Sequence, residues 1–315
     1  MRILVTGSSG FIGFHLTKKL LKLNHKVIGI DNHNDYYDVK LKETRNKLLL
    51  SKNFNFYKQD LNNLSIPNKE IDIAINLAAQ AGVRLPKSKQ YLYGESNING
   101  FEAFCKFCES RNIKKIIYAS SSSVYSDEDG DRFSEIGTKL KPKSLYGESK
   151  LHNELYASKF SKKTKSLMLG IRFFSVYGPY GRPDMAYFSF TEAIKKNKTI
   201  KLNNKGAMQR DMTYIDDVIE GLCGSISYIN KKDKLENELI NLGNDHPIDT
   251  RELLKTLEKS LDKKTNINFV KTKNEAVKTH ADITKAKNLL GYEPKVNFYE
   301  GISRFIKWHN NYEKS

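Results

Sequence analysis

The amino-acid sequence predicts an α/β protein built on a doubly wound parallel sheet, followed by a smaller C-terminal α/β lobe. Short apolar runs alternate with amphipathic helical patterns through the first half of the chain, and the first run ends in a glycine-rich turn before a helix. With 315 residues, the chain can bury a core large enough for both parts. The predicted strands of the first half are Arg2–Thr6, Lys26–Ile30, Phe54–Lys58, Ile71–Ala78 and Lys115–Ala119.

The alternation becomes irregular after about Arg172, which predicts that the smaller lobe begins there. Helical patterns cover Asn97–Ser110, Asp216–Tyr228 and Thr250–Leu261. We expect residues 1–172 to form the first domain, with segments of about 206–245 returning to it, and residues 173–315 to form mainly the second lobe. No internal repeat or low-complexity linker separates the lobes, so they should pack together.

Three glycines directly follow the first predicted strand, in the stretch Gly7-Ser-Ser-Gly10-Phe-Ile-Gly13. Gly7 permits a tight turn, Gly10 lets the backbone approach a diphosphate at the helix N-terminus, and Gly13 allows the helix to pack closely on the strand. Phe11 and Ile12 open the helix beside the same turn. The arrangement predicts a Rossmann domain that binds a dinucleotide.

The second predicted strand ends in Asp31, eighteen residues after Gly13. A carboxylate at this position can accept hydrogen bonds from the ribose 2′-hydroxyl of a dinucleotide, whereas it would repel a 2′-phosphate. The sequence therefore predicts NAD rather than NADP as the cofactor. We predict that the adjacent Asn32 also binds the cofactor.

The formal net charge is +17, from 53 lysines and arginines against 36 acidic residues. The lysines are scattered in ones, twos and short clusters, interleaved with asparagine, and no long basic tail occurs. We interpret the excess as a solvated surface that helps to attract an anionic substrate, rather than as a nucleic-acid-binding patch.

The three cysteines indicate a reducing compartment, and Cys105 and Cys108 lie inside a helical pattern with no second pair that could complete a zinc site. We therefore predict that both thiols have a packing role and that the protein binds no metal. No stretch of 18 apolar residues occurs, and the first strand starts at Arg2. We expect a cytoplasmic protein without membrane insertion.

Tyr146 and Lys150 are four residues apart in a helical pattern, downstream of the serine run Ser120–Ser123. Residues at this spacing share a helix face, so the ammonium group can lie against the phenol. Two charges about 4 Å apart at an effective dielectric near 20 interact by roughly 4 kcal/mol, which would move a phenol pKa from about 10 toward about 7. The pair is thus predicted to act in general acid–base catalysis.

Thr6-Gly-x-x-Gly-x-x-Gly13 together with Tyr146-x-x-x-Lys150 resembles the signature of the extended short-chain dehydrogenase/reductase family. Other stretches narrow the resemblance to the nucleotide-sugar 4-epimerases, and most closely to the UDP-glucuronate 4-epimerases. These stretches begin at Asp31, Ala78, Gly178, Arg210 and Ala281. The resemblance runs from Met1 to about Trp308 and implies that the second lobe binds the nucleotide sugar.

The resemblance implies an NAD-dependent 4-epimerisation of a UDP-hexuronic acid, from UDP-glucuronate to UDP-galacturonate, through a transient 4-keto intermediate. Tyr146 would take the proton from the 4-hydroxyl while hydride passes to NAD. Lys150 would lower the phenol pKa and hydrogen-bond the nicotinamide ribose. Ser121 would hydrogen-bond the 4-oxygen, with its neighbours in the serine run as rivals for that role.

Further binding residues follow from the same resemblance. Asp60 and Leu61 should flank the adenine, Leu77, Ala78, Ala79, Gln80 and Asn97 the central part of the cofactor, and Phe174 the nicotinamide. Arg84, Arg182 and Arg210 are candidates for the diphosphate or the uronate carboxylate, and Asp282 for the uridine. Ser122, Ser123 and Ser175 are small polar groups that could hold the carboxylate away from the alignment that favours decarboxylation.

Three other interpretations remain open from the sequence. The first is a 4-epimerase for UDP-glucose and UDP-galactose, or for an N-acetylhexosamine derivative. The second is a non-catalytic NAD-binding module, and the third is nucleic-acid binding through the basic surface. The family habit implies a homodimer and a role in making capsule or lipopolysaccharide sugars.

Overall fold

The computed structural model describes residues 1–126, 131–137, 140–234, 237–270 and 278–312. The strands are β1 (Arg2–Thr6), β2 (Lys26–Asp31), β3 (Phe54–Lys58), β4 (Ile73–Asn76), β5 (Lys115–Ser121), β6 (Leu167–Phe173), β7 (Ser175–Tyr177), β8 (Ile200–Asn203), β9 (Gln209–Tyr214), β10 (Asn237–Leu242), β11 (Pro247–Asp249) and β12 (Ile267–Val270). The α-helices are α1 (Phe11–Lys22), α2 (Val39–Lys47), α3 (Gly100–Ser110), α4 (Leu145–Thr164), α5 (Ala186–Lys195), α6 (Ile215–Asn230), α7 (Thr250–Leu261), α8 (Thr284–Leu290) and α9 (Phe298–Tyr312).

Seven strands form the main sheet in the order β10-β6-β5-β4-β1-β2-β3, and all neighbours are parallel. The predicted doubly wound parallel sheet is confirmed. The strand order reverses direction between β1 and β4, and in such sheets ligands bind beyond the carboxyl ends of the strands at this point. The glycine turn after β1 therefore lies where a dinucleotide is expected.

Both faces of the main sheet are buried, as the strand residues require. Ile3 and Val5 of β1 pack in one apolar cluster with residues of α1 and α6, whereas Leu4 packs in a second cluster with residues of α3. Successive strand side chains point to opposite faces, so a continuous apolar run fits a sheet that is covered on both sides.

Most element boundaries match the sequence prediction, and two differ in ways that bear on the site. The run Ile71–Ala78 forms a strand only at Ile73–Asn76, because its last residues leave the sheet to line a cavity. The predicted helix start at Asn97 lies inside a π-helix, Tyr93–Asn99, which precedes α3. Single-turn π segments are rare and often occur at functional sites.

The remaining strands form two small sheets beyond β6. One has the order β11-β9-β7 and the other pairs β12 with β8. Strand β10 belongs to the main sheet, although it comes late in the chain. In the part of the chain that the structure describes, no helix is both long and apolar enough to cross a membrane.

Candidate active site

A cavity lies at the carboxyl ends of the main-sheet strands. Its walls come from the glycine turn, the ends of β2 to β6 and the loop after β7. Among the residues predicted to bind cofactor or substrate, it is lined by Gly7, Gly10, Phe11, Ile12, Gly13, Asp31, Asn32, Asp60, Leu61, Leu77, Ala78, Ala79, Ser121, Ser122, Ser123, Tyr146, Lys150, Phe174, Ser175 and Arg182.

The glycine turn is shaped for close contact with a ligand. Gly7 has φ +69°, in the left-handed region, and a Cβ atom at Gly13 would collide with the carbonyl oxygen of Gly7. Helix α1 begins after Gly10 without a capping side chain and without an acidic residue in its first turn. Its first amides can therefore bind an anion such as a diphosphate.

The acidic residues of the cavity lie at the end beside β2 and β3. Asp31 accepts hydrogen bonds from the amides of Ser9, at 3.1 Å, and His33, at 2.9 Å. Asn32 donates to Asp60 at 2.8 Å. Burial acts against ionisation of Asp60, but hydrogen bonds from Asn62 and Asn32 outweigh it and lower the pKa of this carboxyl. Asp31 and Asp60 are the only acids among the described residues that line the cavity.

The Tyr146 phenol lies at the opposite end, at the start of α4, and hydrogen-bonds Ser121. Burial raises the pKa of this phenol above its ordinary value, while the Arg182 guanidinium and the Ser121 hydroxyl act in the opposite direction. Lys150 is buried and its Nζ atom lies 5.7 Å from the centroid of the Tyr146 ring.

The predicted lowering of the Tyr146 pKa toward 7 by Lys150 is contradicted, because burial raises this pKa and the groups that act in the opposite direction are Arg182 and Ser121. The ammonium group donates to the carbonyl oxygen of Ala119 at 3.1 Å, so it faces the end of β5 rather than the phenol oxygen. Burial also lowers the pKa of Lys150 itself to about 8. Spacing on a helix placed the two residues on one face, but it did not determine which acceptor the ammonium would choose.

The structure distinguishes the serines of the run after β5. Ser120 is buried and donates to Glu154 at 2.5 Å. The Ser121 hydroxyl oxygen accepts a hydrogen bond from the Ser123 amide at 3.1 Å, and the hydroxyl proton is directed to the Tyr146 phenol. The Ser120 hydroxyl is thus bound elsewhere, whereas the prediction that Ser121 hydrogen-bonds the sugar 4-oxygen stays a prediction.

Arg182 reaches the cavity from the loop after β7, near the Tyr146 end. Its guanidinium forms a two-point ion pair with Asp184, with distances of 3.0 Å from Nε and 2.6 Å from Nη2. Tyr36 donates to the same carboxylate at 3.1 Å. Such a held guanidinium presents its remaining N–H groups in a defined direction, which suits a carboxylate or phosphate.

Five predicted binding residues are not among those that line the cavity. Gln80 and Asn97 are buried behind its wall, where the Gln80 amide donates to the Asn97 side chain at 2.7 Å. Arg84 is exposed on the loop after β4, Arg210 lies on β9, and Asp282 accepts the Thr284 amide at the start of α8. Their assignment to cofactor or substrate stays a prediction.

Several residues of the cavity were missed by the sequence reasoning. Tyr36, Tyr37 and Lys42 line it, although the first two belong to the stretch Asp31–Asp38 that carried the family resemblance. Lys42 is buried and donates to the backbone oxygen of Asn34 at 2.7 Å. A lysine in an amphipathic helix ordinarily points to solvent, so no local signal identified it.

Comparison with known proteins agrees with this geometry. Residues 3–243 match the NAD dependent epimerase/dehydratase family. The chain is 38% identical to the protein CapI of Staphylococcus aureus over the full length of both, and 37% identical to UDP-glucuronate 4-epimerase 2 of Arabidopsis thaliana, with 99% of this chain and 76% of the relative covered. The crystal structure of UDP-glucuronic acid 4-epimerase from Bacillus cereus in complex with UDP-glucuronic acid and NAD superposes with a TM-score of 0.91 at 33% identity, covering 99% of this chain and all of that chain.

Proposed function

This chain belongs to the NAD dependent epimerase/dehydratase family, and from that premise we propose that it interconverts UDP-glucuronate and UDP-galacturonate by epimerisation at C4. One observation carries the proposal: a single cavity is lined at one end by the glycine turn and Asp31 and at the other by Tyr146, Ser121 and Arg182. The relatives described as UDP-glucuronate 4-epimerases support it.

The residues that line the cavity support NAD in the orientation that the sequence predicts. The uncapped start of α1 suits the diphosphate, and Asp31 suits the adenosine ribose. Phe174 and Lys150 line the end at which the nicotinamide and its ribose are proposed to lie. When bound there, NAD supplies a hydride acceptor and donor for C4 of the sugar.

Tyr146 and Ser121 are proposed to handle the proton on the 4-oxygen. The Ser121 hydroxyl already hydrogen-bonds the phenol, so a sugar 4-hydroxyl between them could lose its proton to Tyr146 and regain it after the sugar has turned. Burial and the ordinary acidity of phenol both oppose the phenolate. Arg182 and Ser121 lower the pKa of Tyr146, and a cationic cofactor ring would act in the same direction.

The uronate carboxylate is proposed to bind Arg182, with Ser122, Ser123 and Ser175 around it. All four residues line the cavity near Tyr146. A 4-keto uronic acid is a β-keto acid, which loses CO2 when its carboxylate aligns with the ketone. Small hydroxyl groups that hold the carboxylate out of this alignment would protect the intermediate, and no described carboxylic acid lines this end to move a proton at C5.

NMR analysis of the product formed from UDP-glucuronate without added NAD tests the proposal. Appearance of UDP-galacturonate would support the reaction, the substrate and the retention of NAD between turnovers. Release of CO2 with a UDP-pentose as the main product would contradict it. Faster turnover of UDP-galactose than of UDP-galacturonate would favour a neutral hexose as the substrate instead.

We further propose a homodimer in the cytoplasm that supplies uronate units for capsule or lipopolysaccharide. The dimer is proposed from the habit of the family, and Leu155 on helix α4, which is 59% exposed, would be available for such a contact. The three cysteines are free thiols, in agreement with a reducing compartment. Light scattering coupled to size-exclusion chromatography measures the mass, and a mass of one chain would contradict the dimer.

A further inference from the structure

Three consecutive carbonyl oxygens, directly before Arg182 in the chain, are bound by side chains from the cofactor half. The Pro179 oxygen lies 2.9 Å from Nε2 of His15, on α1. The oxygens of Tyr180 and Gly181 accept from Nη2 of Arg45, on α2, at 2.7 and 3.0 Å. The backbone that presents Arg182 is thus attached to the two helices that flank the glycine turn.

The other guanidinium nitrogen of Arg45 reaches the glycine turn itself. Nη1 donates to the Ser9 carbonyl oxygen at 3.0 Å and to the Tyr37 hydroxyl at 2.6 Å. The Ser9 amide in turn donates to Asp31, at the ribose end of the cavity. One side chain therefore bridges the proposed diphosphate-binding turn and the segment before Arg182.

Burial of the Arg45 guanidinium in this place costs free energy. It is completely buried, and no carboxylate of the described residues forms an ion pair with it. Its Nε atom has no hydrogen-bond partner there. A buried guanidinium without an anion is destabilising, so its four directed hydrogen bonds point to a positioning role rather than to stability alone.

His15 acts on the same segment as a neutral ring. Burial lowers its pKa to about 4, so near neutral pH the ring is uncharged, and Nε2 must carry the proton because a carbonyl oxygen can only accept. The segment needs such support, since Tyr180 has φ +56°, an uncommon conformation for a residue other than glycine.

We propose that Arg45 and His15 are positioning residues that hold Arg182 in place and couple its position to the cofactor-binding turn. Binding of NAD restrains Ser9, which restrains Arg45 and, through it, the carbonyls of Tyr180 and Gly181. Arg182, which is proposed to bind the uronate carboxylate, is therefore best ordered when the cofactor is present. The inference rests on the proposed function for the role of Arg182, but the coupling itself is independent of the substrate.

The only tryptophan of the chain makes the coupling measurable without substrate. Trp308 is half-buried, and its ring centroid lies 4.9 Å from that of Tyr180. Release of the segment should expose the indole. In NAD-free wild-type protein, added NAD should lower the acrylamide quenching of Trp308, and in Arg45→Lys this protection should be largely lost, because an ammonium cannot span the same acceptors.

Kinetics with UDP-glucuronate give the second readout. Arg45→Lys should raise KM about tenfold with a smaller change in kcat, because the carboxylate partner is misplaced while Tyr146 is not. Arg111→Lys is the matched control, since Arg111 also donates to a backbone oxygen, that of Ile66 at 2.6 Å, and neither residue belongs to the segment before Arg182 or to the glycine turn. It should behave as wild type in both measurements.

His15→Leu and His15→Gln provide a second pair if Arg45→Lys does not fold. Leucine removes the donor and should reproduce the loss of Trp308 protection, whereas glutamine keeps an N–H donor and should restore part of it. The inference would be overturned if Arg45→Lys showed the same NAD-dependent protection of Trp308 and the same KM as wild type. It would also be overturned if the two His15 variants showed the same Trp308 protection as each other. Wild-type protein that does not turn over UDP-glucuronate would instead contradict the proposed function, and the quenching result would still decide the coupling.

Discussion

The hydroxyl of Ser120 donates to Oε1 of Glu154 at 2.5 Å, inside a buried network in which Arg172 pairs with both oxygens of the same carboxylate, at 2.8 and 2.7 Å. Adjacent serines at the end of one strand therefore do different things. Ser120 anchors the strand end to α4, whereas Ser121 faces the phenol of Tyr146.

Alanine substitutions should separate the two serines. We expect Ser121→Ala to lower kcat about tenfold to a hundredfold, because the hydrogen bond to the phenol and the proposed one to the 4-oxygen would be lost. Ser120→Ala should instead lower the free energy of unfolding by about 1–2 kcal/mol and leave kcat within a few-fold of wild type. Steady-state kinetics and urea unfolding of both variants check this, and the reverse pattern would show that Ser120 is the catalytic serine.

Tyr146→Phe should abolish nearly all turnover, with a decrease in kcat of about 10²–10⁴-fold, because Tyr146 is the group proposed to take the proton from the 4-hydroxyl. Substrate binding should change little. Tyr118→Phe is a suitable control, since Tyr118 is fully buried and its hydroxyl donates to Asn237. Substantial activity in Tyr146→Phe would remove Tyr146 from the mechanism.

The stability of the NAD-free protein should depend on pH through Lys150. Burial lowers its pKa to about 8 from 10.5, so the folded state releases a proton before the unfolded state does. The penalty for the buried charge is complete below pH 8 and is relieved as the pH rises from 8 to 10.5. Between pH 7 and 9.5, wild type should gain roughly 2 kcal/mol relative to Lys150→Met.

Urea unfolding at the two pH values measures this difference. Lys150→Met should be the more stable protein at pH 7, although it should be the poorer enzyme. Parallel pH profiles for the two proteins would mean that water or an unrecognised anion screens the ammonium.

Arg182→Lys should change the choice of substrate more than the rate of chemistry. A lysine cannot hold Asp184 and a uronate carboxylate in one planar arrangement, so kcat/KM for UDP-glucuronate should fall about 10–100-fold. The value for UDP-glucose, which lacks the carboxylate, should change little. Equal losses for the two substrates, measured by coupled assay or NMR, would place Arg182 on the diphosphate instead.

Glu154→Gln should be strongly destabilising. It leaves Arg172, which is 2% exposed, without its anion, and removing one partner of such a pair costs about 3–5 kcal/mol. Glu300→Gln is the matched control, because Glu300 pairs with Arg304 four residues away on the exposed face of α9 and should contribute at most about 0.5 kcal/mol. Chemical denaturation of both variants tests the contrast.

Much of the site could be predicted from local sequence because its parts are local. The glycine turn, the acid at the end of β2 and the Tyr146-x-x-x-Lys150 spacing each depend on one strand–turn–helix or one helix face. The candidate substrate-binding arginines were harder to predict, since Arg84, Arg182 and Arg210 were equal candidates, and of these three Arg182 lines the cavity.

The sequence by itself determined the fold class and the cofactor, and it predicted the acid–base pair, because backbone requirements for glycine and the periodicities of strands and helices are short-range properties. Only the tertiary structure decided which serine faces the phenol, and that Lys150 donates to Ala119. The same holds for Arg45, which joins Ser9, 36 positions before it, to Tyr180, 135 positions after it. Burial and long-range hydrogen bonds decide where a side chain points and whether its pKa is raised or lowered. Spacing along the chain predicts neither the orientation nor the pKa shift.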